Sequence, residues 1–116
     1  MPMIDDILAE RDRASGILDD RITAAIRLRN MGADDLDDQI ETLSQQKADI
    51  SAQAYEAALD DPTMIAALDA LKKATRSMTS TAARMTTATS FLANFDSFLA
   101  AASQIIPVLK GQAAAA

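Results

Sequence analysis

The chain has 116 residues, a net charge of −6, 49% apolar residues but only 3% aromatic ones, and no His, Cys or Trp. Without Cys there are no disulfides and no thiolate chemistry, and without His the commonest general base and metal ligand is missing. Much of the apolar fraction is alanine, which favours helix but buries little area, so one domain of this size covers roughly two-thirds of its unfolded surface and gains from a partner.

The N-terminus places Asp5 and Asp6 where a secretory signal would carry its apolar run, so no cleavable signal is expected. From about Met3 to Arg29, Ile4, Ile7, Leu8, Ala14, Ile17, Leu18, Ile22, Ala25, Ile26 and Leu28 recur at helical spacing, interrupted at Arg11 and Ser15. In Asn30-Met31-Gly32-Ala33-Asp34-Asp35, Gly32 suits the left-handed residue that closes a helix, and Asp34 or Asp35 can cap the next.

The second segment, about Asp35 to Leu59, has Leu36, Ile40, Leu43, Lys47, Ile50, Ala54 and Ala57 in steps of four and three, a heptad seam in which Lys47 is the polar member. Two such helices joined by a short turn lie antiparallel. Asp61 is the expected N-cap of a third helix, with Pro62 at its first position.

From Thr63 to Ile106 there is no Gly or Pro, and all three Phe residues lie there. Met64, Leu68, Leu71, Met78, Ala82 and Met85 share one face, whereas Ala88, Phe91, Leu92, Phe95, Phe98, Leu99, Ile105 and Ile106 lie on another, roughly 140° away. Heptad drift of about 20° per seven residues explains only half of that swing. The helix therefore breaks or changes neighbour within Ser77–Ser90, a Ser/Thr-rich stretch that also holds Arg84. Small side chains from Thr75 to Ser90 point to close helix packing, with a polar seam or a hinge as alternatives. Pro107 is expected to end the last helix.

The chain is expected to be all-α, an antiparallel helical hairpin or coiled coil with a long C-terminal helix: three helices, or four if the last breaks near Ser80. Residues 1–110 are expected to form one helical-bundle domain and 111–116 a disordered Ala-rich tail. An unbroken third helix would overhang the hairpin, at about 65 Å against about 40 Å. Either it folds back, or its Phe-bearing end packs on another molecule. The stripe Phe91, Leu92, Phe95, Phe98, Leu99 and Ile105 is thus the candidate protein-binding surface, its aromatic centre resembling an interface anchor.

Other chemistry is poorly represented. Asp34, Asp35, Asp37, Asp38 and Glu41 lack the ligand pattern of a calcium loop and read as helix capping, so no metal or cofactor is expected. No strained turn or Gly-rich loop presents a nucleophile, and the protein is expected not to be an enzyme. Residues 1–61 hold 15 acidic and six basic residues, and residues 62–116 two acidic and five basic. Lys72, Lys73 and Arg76 form the one basic cluster, too small for a nucleic-acid partner. The basic half is expected to lie beside the acidic half, within a chain or between two.

A spanning helix needs about 20 predominantly apolar residues, and the nearest stretch, Met85–Leu109, is interrupted by Asn94, Asp96 and Gln104, so no membrane role is expected. The expected localisation is cytoplasmic, with export without a cleavable signal left open. The expected function is a helical interaction or assembly protein that self-associates through its C-terminal apolar face, as a homodimer first or with a partner helix. A hairpin with Pro at its turn, no Cys and a small-residue C-terminal helix resembles the needle and inner-rod subunits of type III secretion systems. That resemblance rests on Leu59-Asp60-Asp61-Pro62 and the helix after it, and this chain is longer at its N-terminus. It implies the alternative function, a structural subunit or secreted helical component of a bacterial envelope or secretion apparatus.

Overall fold

In the computed structural model, residues 3–32, 36–55 and 61–110 are described. They form α1 (Met3–Asn30), α2 (Asp37–Ala52), α3 (Asp61–Ala82), α4 (Ala88–Ala102) and a short α5 (Ile105–Leu109), with no strand among them. The third segment does break, into α3 and α4, so the four-helix alternative is the one observed. The tail 111–116 and the proposed caps Asp34 and Asp35 lie outside the described residues.

α1 is the common wall of the bundle. Ile7, Ala14, Leu18 and Ala25, at spacings of seven and four, are fully buried along it. Alanine at two of these positions keeps the helices close, and α1 packs on α2, α3 and α4. α2 runs antiparallel to α1: Asp37 meets Arg29, Lys47 meets Asp19, and Ser51 meets Ser15. α3 runs parallel to α1, since Thr75 lies at Glu10 while Ala82 lies at Arg21. The segment then returns along α3, which both α4 and α5 touch.

Local signals explain most of the ends. Gly32 closes α1 with φ +108, as its lack of a Cβ allows. The N-cap of α2 is Leu36, whose side chain cannot accept a hydrogen bond and is buried instead. α3 is described from Asp61 onward, with Pro62 in its first turn.

Three expectations need correction. α2 stops at Ala52 rather than Leu59, because Gln53 turns extended (ψ 124) and its carbonyl accepts Arg11 Nη1 at 2.9 Å. Arg11 and Ser15, the interruptions in the α1 pattern, are thus the residues that meet the end of α2. Pro107 does not end the last helix but sits inside α5. Its ring would clash with the Ser103 carbonyl in a continuous helix, so α4 stops at Ala102 and the helix restarts after Ser103-Gln104. Lys47 is not a core member of the seam: Leu36, Leu43 and Ile50 are buried, while its ammonium reaches the Asp19 carboxylate at 2.9 Å.

The side chains of Lys47 and Asp19 are 40% and 55% exposed, so solvent screens the pair. A double-mutant cycle on Asp19→Ala and Lys47→Ala should return a coupling below about 1 kcal/mol, falling with added salt. A larger, salt-insensitive coupling would instead give Lys47 a register-setting role.

Candidate functional site

The candidate surface is built by the turn that precedes it. α3 ends at Ala82, and residues 83–87 leave the helix. Met85 is fully buried there and anchors the turn in the core, while Arg84 points to solvent. From α1, Arg21 Nη1 donates to the carbonyls of Ala82 (3.3 Å) and Met85 (3.0 Å). Thr87 starts α4 with a capping box: Ser90 N–H donates to Thr87 Oγ1 at 3.1 Å and Thr87 N–H to Ser90 Oγ at 2.9 Å.

The Ser/Thr stretch does not line a packed seam. Ser77, Thr79, Ser80, Thr86, Thr87 and Thr89 are exposed, whereas Thr75 is buried, its hydroxyl within reach of the Glu10 carboxylate and the Lys72 carbonyl. Thr79 donates back to the Thr75 carbonyl at 2.9 Å, the local bonding by which such residues weaken a helix.

Folding back divides the predicted stripe. Phe91, Phe95, Phe98 and Ile105 enter the core of their own chain, with Ala102, Val108 and Leu109 beside them. The rings of Phe91 and Phe95 stack with centroids 6.2 Å apart. Leu92 remains 41% exposed and Leu99 half-buried. The overhang that motivated an intermolecular stripe is absent, because α3 has 22 residues and spans only about 33 Å.

What stays open is the outer flank of this segment. Leu99 and Ile106 line a groove of about 670 Å³ whose opposite wall is the flank of α2, with Glu41, Gln45, Gln46 and Asp49. Asp96 adds a third carboxylate, and no Lys or Arg lines it. Gln45 Nε2 donates to Asp49 at 3.0 Å, while the buried Oε1 of Gln46 has no hydrogen-bond partner among the described residues. The groove is therefore acidic and acceptor-rich along α2, and on the C-terminal side it is apolar but for Asp96 and Ser103. Sequence reading missed it because α2 and α4 are distant in the chain. The signal for it lay in the polar outer positions of α2.

Two further placements bear on chemistry. Asp37 of the carboxylate run is held by Arg29 at 3.1 Å, and no group of three or more metal-ligating side chains occurs among the described residues. Ala88–Leu109 is long and apolar enough to cross a bilayer by length and composition, with hydropathy 1.3, contrary to the expectation for this stretch. In the fold it is interrupted at Ser103-Gln104, and 33% of its most apolar window is buried.

Comparison with protein-family models, with curated proteins and with solved structures finds no significant match to this chain.

Truncating the buried half of the stripe should be costly and truncating the open half cheap. Phe98→Ala is expected to lower unfolding free energy by about 3–5 kcal/mol, and Leu92→Ala by less than half of that, in denaturant titrations. Equal losses at both positions would mean that Leu92 is covered in solution.

Proposed function

We propose that this protein is a non-enzymatic helical assembly protein that self-associates through its C-terminal segment α4–α5, forming a homodimer first. One observation carries the reading: the most apolar segment of the chain has one flank in the core and the other along an open groove. Leu92 and Leu99 crown that free flank, and Ile106 continues it. The small alanine-rich core supports the same reading, since area gained on association adds to a modest intramolecular total.

The test is mass against concentration. Light scattering in the micromolar range should show a species heavier than one chain, and hydrogen exchange should slow with concentration within residues 83–109. A single-chain mass throughout, or protection gained only elsewhere, would overturn the reading.

A second reading has its own support. The acidic groove has a complementary surface on the same chain: Ile65, Lys72 and Arg76 project from one face of α3 and are all exposed. A contact between two different patches repeats head to tail, and forms open filaments unless the rotation closes a ring. That geometry suits a structural subunit of an envelope or secretion assembly. Its expected signature is mass that grows without limit at low salt and collapses at high salt, whereas a dimer closed by apolar burial holds its mass.

A further inference from the structure

The α3–α4 connection is a turn made from residues that a helix accepts. Residues 83–87 read Ala-Arg-Met-Thr-Thr, with neither Gly nor Pro, and no non-Gly residue among those described has a positive φ. The nearest prolines, Pro62 and Pro107, lie outside both helices' interiors. A chain that folds back without a helix breaker does so because tertiary contacts hold it, and here these are few. At the turn itself they are the burial of Met85 and the Arg21 bonds to Ala82 and Met85, with the exposed Thr87/Ser90 box acting locally.

The geometry points to exchange of α4–α5 between two copies of the chain. In the exchanged form residues 83–87 become helical, and α3 and α4 fuse into one helix from Asp61 to Ala102. The α4–α5 segment then occupies, on the second copy, the place it holds on its own. Phe91, Phe95, Phe98 and Ile105 regain the same burial there, and the partner's α1 and α3 supply the same wall. Nearly every contact is conserved, so the balance between the forms lies in the five hinge residues and the entropy of pairing. Such exchange is a low-cost route to a dimer. Straightening forfeits the capping box, the Arg21 bonds and the seat of Met85 in the core, and it gains the backbone hydrogen bonds of a continuous helix. The proposal rests on the reading of self-association and gives it a mode: the stripe is core in a single chain and interface in a pair.

Two opposed substitutions separate the forms. Ala88 is the first residue of α4 and follows Thr87 in an extended conformation (φ −120, ψ 166). Proline fits that position at a helix start, but within a fused helix its ring would meet the carbonyl of residue 84. Ala88→Pro should therefore leave a folded monomer and abolish the dimer. Thr87→Ala with Ser90→Ala removes the box and favours helix, and should raise the dimer fraction several-fold at equal concentration.

Spin labels on Lys73→Cys and Ser97→Cys, in a chain that has no other cysteine, report the mode directly. Both positions are exposed. Labelled chains diluted into unlabelled ones should show a pair distance of about 36 Å in the dimer fraction, for 24 residues of continuous helix. In the monomer the distance stays near the spacing of adjacent helices, roughly 10 Å between axes. A dimer with only the short distance, or an Ala88→Pro dimer as abundant as wild type, overturns exchange and leaves self-association standing. Single-chain mass for wild type and for Thr87→Ala/Ser90→Ala overturns both.

Discussion

One guanidinium decides where the C-terminal half of this protein goes. Arg21, in the C-terminal half of α1, donates to the carbonyls of Ala82 and Met85 as the chain leaves α3. Hydrogen bonds from a charged donor are among the stronger ones a protein makes, and this one fixes the exit of one helix against the wall of another. With the turn held there, Met85 drops into the core and α4 is aimed back along α3. The aromatic stripe follows: within a single chain, the rings pack on their own α1 and α3 because the turn is where it is.

The same helix settles the other half. On α1, Arg11 and Ser15 mark the level at which α2 ends, and Asp19 and Arg29 pair with its flank and start. Glu10 meets the buried hydroxyl of Thr75 on α3. The part-buried contacts of Arg11 with Gln53, Ser15 with Ser51 and Glu10 with Thr75 thus set the height of each neighbour along α1, while Ile7, Ala14, Leu18 and Ala25 set its distance. Apolar burial is non-directional and cannot choose among sliding registers, whereas these bonds can. The three ion pairs among the described residues all lie within residues 1–61, so the basic outer face of α3 is left to solvent. Among the described residues, opposite net charges in the two halves therefore do not translate into ion pairs across them.

The helical class, the extent of α1 and a break within Ser77–Ser90 were legible because each rests on local spacing or composition. Two of the three misreadings involve a tertiary competitor, and the third is local. Ala54 and Ala57 continue the heptad pattern, but the Arg11–Gln53 bond ends α2 before them, and periodicity carries no information about it. Lys47 occupies a seam position by number, but it has a carboxylate partner 28 residues away. Pro107 reads as a stop at its own position, although its steric effect falls four residues earlier, on the end of α4. For the candidate site, sequence separated the Phe-rich face from the rest of the chain but could not say which neighbour it meets. Leu92 and Leu99 lie on the edge of that face, about 80–100° from Phe91 at the helical turn angle, and edges are where burial is decided by whatever lies alongside.

The distribution of rings also governs how this fold can be watched. Tyr55 is the sole tyrosine, there is no tryptophan, and it is buried just beyond α2. Its emission reports on that corner alone, while α4 carries only phenylalanines, which absorb and emit weakly. Loosening of the C-terminal segment would pass unseen in tyrosine fluorescence yet register in far-ultraviolet circular dichroism wherever helix is lost. Agreement of the two signals during melting is thus a direct measure of cooperativity between the corner and the rest of the bundle.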